Sequence, residues 1–284
     1  MKRIAKKRLA ELDCVLSARD KAILRSLDGC RYLATGQIRR LHYADSKNPI
    51  AGHRSANFGT AKLRSYGLVD VLDRRVGGVR AGSSSYVWSI TEAGVHLLNF
   101  NTDEYAPRKR NFEPSPNFMK HTLETSEVYV QLVEICRRHG LELVKAEMEP
   151  ACWRGHTGAD GKPATMKPDM FAVTSNGLFD DSWFIEVDMN TESPSVVLEK
   201  CRRYVHYCKT GMEQERNVVF PLVMWIAYSE NRRAKLQQYI SDCREMSETS
   251  KSIFTVIMPG DFESLIVNGA DASLKRKREN ETAA

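Results

Sequence analysis

The chain has 284 residues, enough for one large domain or two of ordinary size. Hydrophobic residues make up 42% of it and charged residues 27%, a balance typical of globular proteins in water. The sequence has no apolar run near the ~20 residues that a membrane span needs, and its basic start lacks the apolar stretch of a secretory signal. The 7 cysteines are scattered and form no CxxC pair, which argues against a disulfide framework or a zinc ribbon. We therefore expect a cytoplasmic protein with no membrane partner.

Charge is distributed unevenly along the chain. Residues 1–120 hold 22 Lys+Arg against 11 Asp+Glu, a net of +11, and residues 121–284 hold 20 against 25, a net of −5, which together give +6. A basic N-terminal half favours contacts with phosphates, and so predicts double-stranded DNA as a partner. The acidic C-terminal half could hold a metal ion. The alternative is that both halves are ordinary solvated surfaces.

The first part of the chain reads as a short basic extension, residues 1–16, followed by a helical unit that ends in a hairpin, residues 17–100. A helix is predicted from a Ser17 cap to Leu27, and the stretch DSKNPIAGH is predicted to be a loop. Further helices are predicted over 35–43, over 54–66 with Phe58, Ala61 and Leu63 in the core, and over 91–99. Two alternating strands surround a Gly/Ser-rich turn within residues 68–91.

Three helices followed by a two-stranded wing resemble a winged helix-turn-helix. In that family the third helix enters the major groove and the wing touches the backbone or the minor groove. The resemblance implies DNA contacts from the third helix and the wing, through Arg54, Ser55, Asn57, Thr60, Lys62 and Arg64, and through Arg74, Arg75 and Arg80. Arg and Lys suit phosphates, whereas Asn and Arg can read base edges. The alternative is a winged helix that binds protein. Such domains often form dimers, so a homodimer is expected as well.

Residues 101–118 contain three prolines and few aliphatic residues, which predicts a linker. A second domain is expected over 119–267, and the basic tail 268–284 is expected to be disordered. Its helices are predicted over 120–139, 194–209 and 231–246, and its strands over 141–149, 168–175, 182–188, 217–228 and 252–258. The polar, glycine-rich stretch 153–166 is predicted to be a loop.

Three carboxylates are predicted to converge at one end of a β-hairpin. Asp169 begins one strand, and Glu186 and Asp188 end the next. Side chains at i and i+2 project from one face of a strand, so Glu186 and Asp188 project together. A hairpin that turns near Asn176–Asp181 is predicted to bring its outer ends, Asp169 and Asp188, close together. Carboxylates suit a hard cation, so Mg²⁺ or Mn²⁺ is the expected cofactor. Such an ion can polarise a phosphodiester and activate a nucleophile.

The α-β-β-β-α-β order, with PD before one strand and ExD at the end of the next, resembles the PD-(D/E)xK nuclease fold. More closely, KPDMFAV, WFIEVDMNTES and EKCRRYVHY, within a span of about residues 17–230, resemble the bacterial replication-relaxation family. The resemblance implies an α/β chain in which an N-terminal winged helix-turn-helix is followed by a restriction-endonuclease-like αβββαβ domain. It also implies a plasmid or mobile-element role in replication, DNA relaxation or mobilisation, with other relaxosome or replication proteins as partners. Some related proteins are relaxases that nick at a transfer origin.

One position departs from the general nuclease pattern, which has a lysine two residues after the glutamate. This chain has Asp188 there, and either Lys200 or Lys167 could supply the positive charge; Lys200 is favoured because helices commonly face this hairpin. The expected catalytic residues are therefore Asp169, Glu186, Asp188 and Lys200. Tyr204 lies one helical turn from Lys200 and is a candidate nucleophile. The favoured alternative is that one of Tyr204 and Tyr207 packs on the sheet and the other belongs to an amphipathic surface.

Three functions are compatible with these features. The first is a metal-dependent enzyme that nicks or relaxes DNA at the origin of a plasmid or mobile element. The second is a non-catalytic DNA-binding replication factor or transcription regulator with a degenerate nuclease-like domain. The third is a nuclease-like protein of defence or repair.

Overall fold

The structure, a computed structural model, describes residues 6–72, 86–100, 114–158, 160–190, 192–243 and 246–270. The fold is mixed α/β, as expected, and the chain divides into two compact units, Met1–Val130 and Gln131–Ala284. This boundary falls inside a helix, whereas the sequence placed it in the linker. Within the described ranges, no helix combines the length and apolarity needed to cross a membrane.

The first unit consists of helices around a small antiparallel sheet. The helices are α1 Lys6–Val15, α2 Ala18–Cys30, α3 Thr35–His42, α4 Pro49–Ser65, α5 Glu92–Leu98 and the first half of α6 Pro116–His139. The strands are β1 Leu33–Ala34, β2 Val69–Val71 and β3 Val87–Ile90, in the order β1-β3-β2. The predicted helices and strands of residues 17–100 occur in the predicted order, and β1 is a strand that the sequence did not predict. Two helices were not fully anticipated, since α1 lies in the expected extension and α6 begins within the expected linker.

Local capping explains why α2 begins where the sequence predicts. The Asp20 backbone N–H donates to Ser17 Oγ over 3.1 Å, and the Ser17 N–H donates to Asp20 Oδ2 over 2.9 Å. This reciprocal capping box satisfies two of the backbone donors left over at a helix start. One face of α2 is fully buried through Ile23, Leu24 and Leu27. A cap and an apolar stripe together explain the correct prediction.

Helix α4 starts earlier than predicted and presents a different face to the core. Asn48 caps it by accepting a hydrogen bond from the Ala51 N–H over 2.9 Å, and Pro49 occupies its first turn. The expected loop therefore ends at Asn48. The prediction that Phe58 belongs to the core is wrong, because its side chain is 76% exposed. Ala61 is exposed as well. The buried face of α4 is formed by Gly52, Ala56, Gly59, Thr60 and Leu63.

The second unit contains a five-stranded sheet in the order β10-β9-β8-β7-β4. The three strands β4, β7 and β8 pair antiparallel, whereas β8–β9 and β9–β10 pair parallel. Its strands are β4 Glu142–Met148, β5 Arg154–Thr157, β6 Pro163–Met166, β7 Met170–Ser175, β8 Asp180–Asp188, β9 Leu222–Ala227 and β10 Phe254–Ile257. Besides the second half of α6, its helices are α7 Pro194–Lys209, α8 Met212–Asn217, α9 Glu230–Ser241 and α10 Glu248–Lys251.

Three segments of this unit differ from the prediction. The expected loop 153–166 contains the hairpin β5–β6, in which Arg154 pairs with Met166. The apolar run 217–228 is a strand only from Leu222 to Ala227, and Val218 before it is 87% exposed. Residues 262–270 are helical, so the expected disordered tail includes the end of a helix, and its remainder lies outside the described residues. An apolar run alone does not show where pairing begins.

The hairpin β7–β8 forms as predicted, and both of its strands have neighbours on either side in the sheet. Met170 pairs with Ile185, and the turn begins at Asn176, whose Oδ1 accepts the N–H groups of Leu178 and Phe179, each over 2.9 Å. Gly177 adopts φ +83°, a conformation that glycine tolerates best. Both faces of β8 are buried, because Trp183 and Phe184, on opposite faces, are fully enclosed. The Phe184 face packs against α7 through Val197, Cys201 and Tyr204.

Candidate functional site

Asp169 and Glu186 lie next to each other at one end of the β7–β8 hairpin. Because Met170 pairs with Ile185, the next position outward places Asp169 beside Glu186, and not beside Asp188 as the sequence predicted. Asp169 Oδ2 accepts the backbone N–H of Val187 over 2.7 Å. Both carboxyl groups are buried, Glu186 almost completely. Two of the three predicted metal-binding carboxylates are therefore brought together.

Helix α7 supplies two partners to Glu186. Lys200 Nζ lies 3.0 Å from Oε2, and the Tyr204 hydroxyl donates to Oε1 over 2.6 Å. These two residues are four apart, so they project from one face of the helix. Burial raises the pKa of Glu186 to about 7; Lys200 opposes this rise, the charge of Asp169 adds to it, and the bond from Tyr204 opposes it. Lys200 lies where the sequence expected a positive charge.

Lys200 also contacts a carboxylate that the sequence analysis did not select. Its Nζ lies 2.7 Å from Glu192 Oε1 and 5.5 Å from the ring centroid of Trp225. Burial disfavours the ammonium, but the charges of Glu186, Asp169 and Glu192 outweigh burial and raise the pKa of Lys200. Three carboxyl groups thus act on one ammonium. When all three are ionised, their charge exceeds that of Lys200, a balance that favours an additional cation.

Asp188 is placed apart from the other two predicted ligands. Its two oxygens accept from Arg232 of α9, Oδ1 from Nε over 3.0 Å and Oδ2 from Nη2 over 2.7 Å. Glu186 and Asp188 share a face of β8, but two residues along a strand are ~6–7 Å apart. At that distance Asp188 meets α9 rather than Lys200. Alternation along the strand predicted the shared face and could not predict the different partners.

The carboxylates of this cluster offer oxygen atoms to an ion such as Mg²⁺ or Mn²⁺. Among the described residues, no group of three or more His, Cys, Asp or Glu side chains is placed to hold a metal ion. The carboxylate oxygens of Asp169 and Glu186 are nevertheless the donor type that such ions prefer. Glu192 Oε2 is buried without a hydrogen-bond partner within the described part of the chain. The type of donor therefore suits a hard cation, which Asp169 and Glu186 would hold, and Glu192 lies on the other side of Lys200.

Tyr204 is a buried hydrogen-bond donor in this structure. Its side chain is 1% exposed, and its ring packs 5.7 Å from that of Phe184, centroid to centroid. Burial and the neighbouring charge of Glu186 raise its pKa well above the ordinary value, which favours the neutral hydroxyl over the nucleophilic phenolate. Tyr204 therefore packs on the sheet, as the favoured alternative expected of one of the two tyrosines. The expectation that the other tyrosine lies on the surface is wrong, because Tyr207 is fully buried as well.

Glu192 and Arg232 are the two residues of this cluster that sequence reasoning missed. Glu192 offered a signal, because it lies in the MNTES segment directly before Ser193, the N-cap of α7. Arg232 offered none, since its partner Asp188 is 44 residues away. Arg232 also donates to the backbone oxygen of Glu192 over 2.8 Å. It therefore ties the end of β8 to the segment that carries Glu192.

The predicted DNA-contacting residues of α4 fall into two groups. Arg54, Ser55, Asn57 and Arg64 are exposed. The prediction for Thr60 is wrong, because this residue is fully buried and its hydroxyl donates to the Ala56 oxygen over 2.9 Å.

The cations of α4 differ in how they are paired. Lys62 is partly buried, and its Nζ lies 2.6 Å from Asp20 Oδ2. Arg64 is exposed, and its Nε lies 3.7 Å from Asp70 Oδ1. The wing arginines Arg74, Arg75 and Arg80 lie outside the described residues. The open part of the predicted interface on α4 therefore centres on Arg54 and Asn57.

Comparison with known proteins yielded one match. A family model described as replication-relaxation matches residues 24–223, well over half of the 284 residues. No curated protein and no solved structure matched the chain. The matched span includes α4, the hairpin carboxylates and Lys200, whereas Arg232 lies beyond its end.

Proposed function

The chain belongs to the replication-relaxation family, and from this premise we propose that it binds origin DNA of a plasmid or mobile element and nicks it with Mg²⁺ or Mn²⁺. The observation that carries the proposal is the ion pair between buried Glu186 and partly buried Lys200, beside Asp169. A buried carboxylate whose pKa is raised by burial, next to a cation, is an arrangement common at active sites. No buried charge of this kind is needed for packing alone.

Each residue of the cluster around Glu186 has a distinct role in this proposal. Asp169 and Glu186 hold the cation, which when bound polarises the phosphodiester and activates the attacking group. Lys200 orients Glu186 through their 3.0 Å contact and stabilises negative charge that develops on the phosphate. Tyr204 fixes the other oxygen of Glu186. Arg232 and Asp188 hold the strand end that carries these groups.

The DNA-binding part of the proposal rests on the first unit. Its three helices and hairpin follow the order of a winged helix-turn-helix, in which α4 is the helix that enters the major groove. Helix α4 carries Arg54, Lys62 and Arg64 and contains no acidic residue. The expected partner is double-stranded DNA at a plasmid or transfer origin, bound by a monomer or a homodimer, together with other relaxosome or replication proteins.

A plasmid-nicking assay tests the proposal. The protein is incubated with Mg²⁺ or Mn²⁺ and a supercoiled plasmid that carries the origin region adjacent to the gene for this protein. We expect the parent protein to convert the plasmid to the nicked circle. We expect Glu186→Gln to lower the nicking rate by about 100-fold or more, which is the usual effect of removing an electrostatic catalytic group. Glu199→Gln, on the exposed face of the same helix, is the matched control and keeps full activity. Absence of nicking by the parent protein with either metal on this substrate contradicts the enzymatic proposal.

A second candidate function is a non-catalytic DNA-binding replication factor or transcription regulator. The observation that favours it is the Asp188–Arg232 pair, because the general nuclease pattern has a lysine where this chain has Asp188. In this case Asp169→Ala and Glu186→Ala leave origin binding and plasmid maintenance unchanged. Loss of maintenance with origin binding intact selects the enzyme instead.

A further inference from the structure

An apolar side chain stands in the middle of the exposed, basic face of α4. Phe58 is 76% exposed, although a fully buried phenylalanine contributes more to stability than almost any other side chain. We propose that Phe58 is a specificity-determining residue that contacts the C5-methyl group of a thymine in the major groove. The inference rests on the proposed DNA-binding function and adds to it a preference for one base.

Helical geometry places Phe58 in a continuous exposed stripe. Ile50, Arg54, Phe58 and Ala61 are spaced by four, four and three residues, so they follow one side of the helix. All four are exposed, with Ile50 at 68%. The stripe therefore combines three apolar side chains with the cation Arg54 along the side of α4 that faces away from the core.

The exposure of Phe58 is fixed by how the opposite face packs. Ala56, Gly59, Thr60 and Leu63 are buried, and a Cβ atom at Gly59 would overlap the hydroxyl group of Tyr43. This close approach determines the rotation of α4 about its own axis. Phe58 cannot turn inward without moving these residues outward.

The positive charge of this region favours DNA as the partner that binds the exposed stripe of α4. Helix α4 contains three Lys or Arg side chains and no carboxylate, and residues 1–120 hold 22 Lys+Arg against 11 Asp+Glu. The major groove combines phosphates at its edges with thymine methyl groups on its floor, and phenylalanine and alanine are among the side chains that contact those methyls. Ala61 is small, so it lets the helix approach the base edges next to Phe58.

The experiment uses the full chain and duplexes selected from a random 30-base-pair library. A series of variants of the highest-affinity duplex is then made. In each variant one thymine of the bound site is replaced by deoxyuridine, which lacks only the methyl group. At one position we expect the parent protein to lose about fourfold in affinity, the effect of burying one methyl group. Phe58→Ala binds the thymine duplex more weakly than the parent and does not distinguish the two forms at that position.

Controls separate this contact from general effects on folding or binding. Val15→Ala removes an exposed apolar side chain from α1, 61% exposed, and is expected to respond to deoxyuridine as the parent does. Thermal unfolding of Phe58→Ala is expected to match the parent, since the side chain is exposed. Equal loss at the same position in the parent and in Phe58→Ala, or no loss at any position, overturns the inference while DNA binding stands. Failure of the parent to bind any duplex overturns the proposed DNA-binding function itself.

Discussion

Asp188 and Arg232 form a buried, two-point ion pair, with Oδ1–Nε at 3.0 Å and Oδ2–Nη2 at 2.7 Å. Their hydrogen bonds raise the pKa of Arg232 against the effect of burial. The pair fastens the end of β8 to α9, close to the segment that carries Glu192. It also removes Asp188 from the group formed by Asp169, Glu186 and Lys200.

Arg232→Met is expected to destabilise the protein by about 3–5 kcal/mol, because it leaves the buried charge of Asp188 without its partner. Urea denaturation gives the free energy of unfolding. Arg233→Met is the matched control, since Arg233 is the next residue of α9, is more exposed, and pairs with Glu230. We expect the control to change the free energy by less than about 1 kcal/mol. An equal effect of both substitutions contradicts a special role for the Asp188 pair.

The raised pKa of Glu186 predicts how stability depends on pH. Because burial lifts this pKa from 4.5 to about 7, the folded protein holds the proton more tightly than the unfolded chain does. Stability therefore falls as pH rises through the window from 4.5 to about 7, and stays at the lower level above it. The free energy of unfolding of the parent relative to Glu186→Gln is expected to decline between about pH 4.5 and pH 7 and to level off above that window.

Glu199→Gln provides the reference for this pH series, because Glu199 is an exposed residue of the same helix. Its difference from the parent is expected to stay constant over the same window. A gain in the relative stability of the parent with rising pH is the opposite sign and refutes the prediction.

Tyr204→Phe is expected to raise the pKa of Glu186 further, because it removes a hydrogen bond that stabilises the carboxylate. The titration of the Glu186 carboxyl carbon, followed by NMR, measures this shift. Tyr207→Phe is the control on the same helix, since its hydroxyl donates to Glu213 over 2.6 Å instead. We expect the control to leave the Glu186 midpoint in place. A midpoint that Tyr204→Phe does not move would show that the 2.6 Å contact is absent in solution.

Arg54→Ala is expected to weaken DNA binding and to reduce the slope of log affinity against log salt by about one, the change for losing one phosphate contact. Arg54 is exposed on α4, and affinities are measured by fluorescence anisotropy across a salt series. Arg8→Ala removes the same charge from α1, where Arg8 pairs with Glu11. If the two substitutions reduce the salt-dependence slope equally, the effect comes from net charge rather than from a contact of α4.

Gly59→Ala is expected to destabilise the first unit by about 1–3 kcal/mol, since the added methyl group overlaps the Tyr43 hydroxyl. Tyr43→Phe in the same protein should recover part of this loss by removing the overlapping atom. Gly36→Ala is the comparison, because a Cβ there has no neighbour within 4 Å. We expect it to be neutral or to stabilise by about 0.5–1 kcal/mol. Equal losses at the two glycines would mean that the approach of Tyr43 does not set the packing of α4.

Several parts of the fold were predictable because their causes lie close together in the chain. The Ser17 cap and the apolar stripe of Ile23, Leu24 and Leu27 locate α2. Pro194 opens α7 at the predicted residue, and the Asn176–Gly177 turn sets the β7–β8 hairpin. The weaker predictions concern short polar strands and helix ends, such as β5–β6 and the start of α4, whose formation depends on partners elsewhere.

The sequence by itself determined that Glu186 and Asp188 share a face of their strand and that Lys200 and Tyr204 share a helix face. Spacings of two and four residues decide such relationships, and they survive any packing of the elements. Only the tertiary structure decided which carboxylate takes which cation, with Lys200 bonded to Glu186 and Glu192, and Arg232 bonded to Asp188. It also decided that Phe58 faces outward. These outcomes depend on the distance and rotation between elements far apart in the chain, which no local pattern records.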